Sequence, residues 1–190
     1  MDFETVVNDI SDILKDIDSS RARFKSSRPP FKEFQPGIGP CPEPQLVKLI
    51  AEGLNRIPRY GGVARTRRTP DLLIEKHWAI EIKIARPFGD NGKLAENWSV
   101  NLLHPYPGNS SLLGDCLKLI ELPCSEQKAV IAVGYEHDPA QLSLEPLLKA
   151  FEVVAATVLN INLGTRVQTI RDGLIHSVHR RLVVVGWRVS

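Results

Sequence analysis

Between Asp71 and Ile84 the chain reads Asp-Leu-Leu-Ile-Glu-Lys-His-Trp-Ala-Ile-Glu-Ile-Lys-Ile, and few conformations accommodate that order. Asp71–Glu75 predicts one β-strand and His77–Ile84 the next, joined as a hairpin. Side chains alternate between the two faces of a strand. Trp78, Ile80, Ile82 and Ile84 therefore share one apolar face, while His77, Ala79, Glu81 and Lys83 share the other. An acid-x-base pair backed by an unbroken apolar face is unusual as mere surface. Asp71 stands at the head of the first strand. Two carboxylates that converge can hold Mg²⁺, and a lysine beside them can serve a water or a phosphate.

The elements around the hairpin follow from periodicity. Phe3, Val6, Val7, Ile10, Ile13, Leu14 and Ile17 have helical spacing, which predicts an amphipathic helix over 2–18. Its stripe must dock on the body of the protein or on a second subunit. Six of the fourteen prolines fall in 19–44. Proline lacks a ladder donor and restricts its predecessor, so this stretch predicts an extended arm, a solvated connector whose Lys25, Arg28 and Lys32 could touch a polyanion. A helix over 43–56 tolerates Pro44 in its first turn and aligns Glu43 with Val47, Ile50 and Leu54. That acid is either a first-turn carboxylate favoured by the helix dipole or part of a site. Ser110–Leu122 predicts a helix, Lys128–Tyr135 a strand buried on both faces, and Leu144–Val158 a further helix. The C-terminal part is β-rich, with Arg166–Ile170, an Asp172-Gly173 turn signal, then Leu182–Val185 and Trp187. The expected organisation is an N-terminal helix and proline-rich arm over 1–42, then an α/β domain over 43–190 with a central mixed β-sheet flanked by helices.

Bulk properties exclude several classes. With 190 residues, 43% hydrophobic and 24% charged, the chain is neither disordered nor fibrous. A net charge of +2 does not by itself announce a polyanionic partner. The three cysteines, Cys41, Cys116 and Cys124, have no metal-type spacing and are odd in number, which points to a reducing compartment and a cytoplasmic protein. The acids Asp2, Glu4, Asp9 and Asp12 are unlike a secretory signal, and no apolar run is long enough for a membrane span.

Local clusters carry the remaining information. Arg56, Arg59, Arg65, Arg67 and Arg68 fall within thirteen residues without an acid, around Gly61-Gly62 and directly before Asp71. They are either a solvated face or phosphate contacts, with Arg59, Arg65, Arg67 and Arg68 the candidates. The long loop region 85–109 offers Trp98, His104 and Tyr106 as contact residues or as loop anchors. His77 lies on the same strand face as Glu81 and either lines the site or is structural. His176 and His179 are structural or contact phosphate beside Arg180 and Arg181.

Pro70, Asp71, Glu81 and Lys83, set between a helix and a buried strand, resemble the motif of the PD-(D/E)XK nuclease superfamily, the restriction-endonuclease-like fold. The resemblance covers about residues 43–136. It implies a Mg²⁺-dependent DNA endonuclease of restriction or repair type, with Mn²⁺ able to substitute. It implies that Asp71 and Glu81 ligate the metal with the backbone carbonyl of Ile82, and that Lys83 holds the attacking water or the scissile phosphate. An unperturbed lysine titrates near ~10.4 and neighbouring carboxylates favour its charged form, so Lys83 is not a free general base. Glu43 resembles the acid that many members present from the first core helix, directly or through water. Double-stranded DNA is the implied partner, and two cuts per duplex suggest a homodimer by analogy, with the N-terminal helix as one candidate interface. The competing readings are a non-catalytic nucleic-acid-binding or assembly module that keeps the fold, which would usually lose an acid or the lysine, and a toxin-like or RNA-directed nuclease. Other enzyme classes fit worse. There is no Gly-x-Ser-x-Gly elbow and no Cys-x-x-Cys pair. Gly89-Asp90-Asn91-Gly92-Lys93 lacks the glycine and the hydroxyl residue of a Walker loop at Pro87 and Leu94.

Overall fold

A computed structural model describes residues 1–26, 29, 31–105 and 111–190. The elements in chain order are α1 (Phe3–Ser19), α2 (Glu43–Arg56), β1 (Ala64–Thr66), β2 (Leu72–Ile74), β3 (Trp78–Ala85), α3 (Val100–Leu103), α4 (Leu112–Glu121), β4 (Gln127–Glu136), α5 (Glu145–Thr157), β5 (Val167–Arg171) and β6 (Arg181–Arg188). The strands form one six-stranded sheet in the order β1-β2-β3-β4-β6-β5. Only β3 and β4 run parallel, and α3 and α4 make the crossover between them. Every other pairing is antiparallel. The α/β class and the mixed sheet flanked by helices are as expected.

Alternation along the strands builds a core on each face. Trp78, Ile80, Ile82 and Ile84 of β3 pack with Ile131 and Val133 of β4 under α1 and α2. Ala79, Val130, Ala132, Val183 and Val185 pack under α4 and α5 with Phe151 and Trp187. The parallel pair at the centre is thus buried on both sides, which is why β4 reads as a continuous apolar run.

Helix α1 docks intramolecularly. Asp2 caps it by accepting from the Thr5 N–H at 2.8 Å. Phe3, Val6, Val7, Ile10 and Leu14 are all at most 1% exposed, so the stripe offered as a dimer interface is consumed by the sheet. Gly186 of β6 makes the close approach possible, because a Cβ there would lie 2.7 Å from the Phe3 ring. Residues 1–42 therefore share the core of 43–190 and do not stand apart from it.

The proline-rich arm differs from a solvated connector. Phe24, Ile38 and Cys41 are buried in the α1–α2 core. Asp18, at the end of α1 and fully buried, accepts from the N–H groups of Ile38 at 2.9 Å and Ile175 at 2.8 Å. A carboxylate that satisfies two distant backbone donors ties the arm and the β5–β6 loop to one helix end. Lys32 is drawn to Asp90 at 2.9 Å, and Arg28 lies outside the described residues.

The Asp172-Gly173 signal opens a turn, with Gly173 at φ +69°, but β5 and β6 are joined by the longer loop 172–180. His176 and His179 sit in that loop with rings stacked 4.4 Å apart, each 1% exposed. Nε2 of His176 meets Asp90 at 3.1 Å and Nε2 of His179 meets the Phe88 carbonyl at 2.9 Å. These histidines are structural, and they fasten the turn at 88–94 to the end of the sheet. Asp90, which also accepts from Lys32 and the Gln35 N–H, is the hub of that contact. No described helix is long and apolar enough to cross a membrane.

Candidate active site at the open edge of β3

The site follows from a mismatch in strand length. β2 pairs with β3 only as far as Leu72 opposite Ile80. Beyond that point β3 keeps β4 on one side, and its other edge is open from Glu81 to Ala85. Buried backbone donors must find acceptors. Two acids supply them. Asp71, the residue before β2, accepts from the Ile82 N–H through Oδ2 at 3.0 Å. Glu43, the first residue of α2, accepts from the Ile84 N–H through Oε2 at 3.0 Å. In a strand the N–H and C=O of one residue point to the same side, so the Ile82 carbonyl also faces this gap.

Glu81 and Lys83 leave β3 on the α4 face and are 4% and 7% exposed. The Lys83 ammonium lies 3.0 Å from Glu43 Oε1, 3.1 Å from Asp115 Oδ2 and 3.4 Å from the Ile82 carbonyl. The Asp115 contact is a pairing of charges and not an aligned hydrogen bond, because that oxygen has no hydrogen-bonded partner. Burial works against a charged Lys83, but the Glu43 and Asp115 carboxylates outweigh it and raise its pKa above the ordinary lysine value. Lys83 is therefore a fixed cation and hydrogen-bond donor.

Glu81 behaves oppositely. Burial, then the Asp71 carboxyl beside it, push its pKa up to about 9. Two carboxyl groups in contact share a proton unless a cation separates them. That donor set suits a divalent ion: Asp71, Glu81 and the Ile82 carbonyl are hard oxygen ligands, and Mg²⁺ is commonly held by one or two carboxylates with water completing the shell. Among the described residues no group of three or more acidic, histidine or cysteine side chains is placed to hold a metal. Glu43 engages Lys83 through Oε1 and the Ile84 N–H through Oε2.

Asp115 is the site residue the sequence reading passed over. Ser111 caps α4 by accepting from the Gly114 N–H at 3.1 Å, which sets Asp115 in the first turn with its side chain turned inward. It is 1% exposed and also pairs with Lys118 at 2.6 Å. Its signal was present: an acid interrupts the apolar stripe Leu112, Cys116, Leu119, as Glu43 heads the stripe of α2.

The other candidates are dispersed. His77 precedes β3 at its far end, where Nδ1 meets the Met1 amino group at 3.5 Å, four residues or roughly 13 Å of strand from Glu81. Arg59 forms an ion pair with Asp9, which also accepts from the Tyr60 hydroxyl at 2.6 Å. Arg65 pairs with Glu75 at 2.8 Å. Arg67 and Arg68 are exposed, with no ion pair among the described residues. Trp98 is half-buried on the rim of the site, and Tyr106 lies outside the described residues. Compared with protein families, curated proteins and solved structures, the chain matches none.

Proposed function

We propose that this chain is a Mg²⁺-dependent endodeoxyribonuclease built on a restriction-endonuclease-like fold. The observation that carries the reading is the convergence of Asp71, Glu81 and Lys83 on the unpaired edge of β3. A structural hairpin has no need to bury the Glu81 carboxyl against the partly exposed Asp71, since Glu81 pays a desolvation cost without a cation beside it.

In this reading Asp71 and Glu81, with the Ile82 carbonyl, hold the ion. When bound, Mg²⁺ would lower the pKa of a coordinated water and offset charge on the phosphate. Asp71 is kept in place by its bond to the Ile82 N–H, so the ligand and the strand move as one unit. Lys83, kept charged by Glu43 and Asp115, donates to a phosphate oxygen or orients the attacking water. It does not remove a proton. Its stabilising effect comes from being held in place before the substrate arrives, so that no reorganisation is needed as charge develops.

The test is cleavage of supercoiled plasmid and linear duplex with Mg²⁺, Mn²⁺ or EDTA, beside Asp71→Ala and Glu81→Ala. Metal-dependent nicking abolished by both variants supports the proposal. Discrete fragments would indicate sequence-specific restriction, and a smear a less specific nuclease. Failure to cut any DNA, together with calorimetry showing no Mg²⁺ or Mn²⁺ binding, would overturn it in favour of a non-catalytic module. Cleavage of RNA alone would move the assignment to an RNA-directed nuclease.

A further inference from the structure

Beside the Glu43 carboxylate that holds Lys83 opens a cleft of about 500 Å³ lined by Glu43, Ile84, Arg86, Glu96, Trp98 and Asn101. Nothing in the proposed chemistry uses it. Its walls nevertheless continue the site, because Glu43 and Ile84 are the two groups joined by the bond that closes the edge of β3.

Arg86 is the one cation among the described residues that line the cleft, beside the carboxylates of Glu43 and Glu96. Its guanidinium donates to the carbonyls of Gly39 at 2.9 Å and Cys41 at 3.3 Å. No carboxylate among the described residues forms an ion pair with it, and Glu43, the one carboxylate acting on it, after Tyr135 and Cys41, is already engaged by Lys83. Two carbonyl contacts leave further N–H groups of a five-donor fork. A largely buried guanidinium without a counter-ion, set in a wall of the cleft, matches a phosphate oxygen.

Trp98 gives the cleft its shape. The indole is half-buried against the α4–α5 core and packs on no other aromatic ring among the described residues. Asn101 donates through Nδ2 to the Ile84 carbonyl at 3.2 Å, which fixes its amide and leaves Oδ1 as an acceptor. A flat aromatic surface, a fixed amide acceptor and a cation within one concave site are what a single nucleotide requires. The volume lies within the roughly 300–1,000 Å³ of small-ligand sites. A duplex is too large to enter, and a base within a duplex has both faces covered by its neighbours, so only an unstacked base could lie on the indole.

Resting on the nuclease reading, we infer that this cleft receives an unpaired base of the nucleotide next to the scissile phosphate, stacked on Trp98 with its phosphate on Arg86. The substrate class is then DNA carrying unpaired nucleotides at the cut: single strands, flaps or bulges, in preference to uninterrupted duplex.

Tryptophan fluorescence provides a direct readout. The chain has three tryptophans, and Trp78 and Trp187 are each 1% exposed, so quenching by a stacked base reports Trp98. Three oligonucleotides would be titrated in EDTA: a thirty-nucleotide single strand, its matched duplex, and that duplex with a three-nucleotide bulge. Affinity would be followed in parallel by anisotropy of a fluorescein label. The expected result is quenching by the single strand and the bulge but not by the duplex, with about tenfold tighter binding of the unpaired substrates. Trp98→Leu keeps the apolar contact with the core and removes the aromatic face, so it should erase the preference while leaving duplex affinity unchanged. Trp98→Phe should restore most of it. Equal binding of all three substrates, unaffected by Trp98→Leu, would overturn this inference and leave the nuclease reading intact. Binding to none of them, with no cleavage in Mg²⁺, would overturn both.

Discussion

The carboxylate of Asp115 stands 3.1 Å from the ammonium of Lys83, and it arrives there from α4, on the face of the sheet opposite α2. Lys83 is therefore held from both layers of the fold, by Glu43 on one side and Asp115 on the other. Removing Asp115 leaves the buried ammonium with Glu43 alone, and losing one carboxylate of such a cluster costs roughly 2 kcal/mol. Asp115→Ala should lower stability by about that amount in urea denaturation. Asp115→Asn keeps the shape and removes the charge. It should fold, and it should cut DNA more slowly, with kcat reduced about tenfold and KM little changed, if Lys83 must be held for the transition state. An Asp115→Asn enzyme with wild-type kcat would reduce Asp115 to a packing residue.

Glu43 makes a complementary prediction. One of its oxygens holds Lys83 and the other the Ile84 N–H. Glu43→Gln preserves an acceptor for the backbone donor and loses the charge beside the ammonium. Cleavage should fall while Mg²⁺ affinity, measured by calorimetry, stays within about twofold, because both Glu43 oxygens are already engaged by Lys83 and the Ile84 N–H. A Mg²⁺ affinity weakened about tenfold or more would instead make Glu43 a ligand.

The Lys83 clamp also shows where sequence reading succeeds and where it stops. The alternation of β3, the buried run of β4 and the stripes of α1 and α2 are local patterns, and the structure reproduces them; α2 spans Glu43–Arg56 as expected. Asp71, Glu81 and Lys83 meet because hairpin pairing brings residues of one short segment together. Asp115 comes from a helix after a long loop, and its approach depends on the crossover between β3 and β4, which spacing alone does not encode. The arm over 19–44 misled for a related reason. Prolines rule out regular structure, but they say nothing about burial, and Phe24, Ile38 and Cys41 are held in the core by Asp18 and its neighbours. The arginine run likewise lost Arg59 and Arg65 to acids distant in sequence or across the β1–β2 ladder.

His179 gives the fold a pH dependence. Burial holds its pKa down at about 3, against an ordinary value of 6.5. Electrostatic repulsion from His176 and Arg86 acts in the same direction, while the Phe88 carbonyl and Asp90 oppose it. Above pH 6.5 the ring is neutral whether folded or unfolded and contributes no slope. Between 6.5 and 3 the unfolded chain binds a proton that the folded chain refuses, so stability falls as pH falls through that window. The loss approaches about 1.4 kcal/mol per unit, or about 2 kcal/mol between pH 6.5 and 5. Urea midpoints at pH 7.5 and pH 5 would measure it. His179→Gln, which can still donate to the Phe88 carbonyl, should show a shallower decline, and an identical decline would assign the pH effect to other groups.

Gly186 tests whether α1 is integral to the fold. An added Cβ would lie 2.7 Å from the Phe3 ring and 3.2 Å from Val7. Overpacking of this kind costs roughly 1–3 kcal/mol. Gly186→Ala should be destabilised accordingly, and Phe3→Leu in the same chain should recover part of the loss, giving a double-mutant coupling of opposite sign to the single effects. Full stability in Gly186→Ala would mean that α1 sits more loosely on β6 than the structure places it.

The arginines before Asp71 separate into two groups with different expected behaviour. Arg59 is tied to Asp9, beside the buried Tyr60 hydroxyl, and Arg65 to Glu75. Replacing Arg59 with alanine should lower the melting temperature and leave DNA affinity near the wild-type value. Arg67 and Arg68 are exposed at the turn that leads into the hairpin. If they contact phosphates, each alanine variant should weaken binding to all DNA sequences alike. Each should also reduce the slope of log Kd against log salt by about one. Anisotropy titrations from about 50 to 200 mM salt on two unrelated sequences would measure both. A slope unchanged in the Arg67→Ala, Arg68→Ala double variant would leave this turn as a solvated face and place the phosphate track elsewhere on the open edge of the sheet.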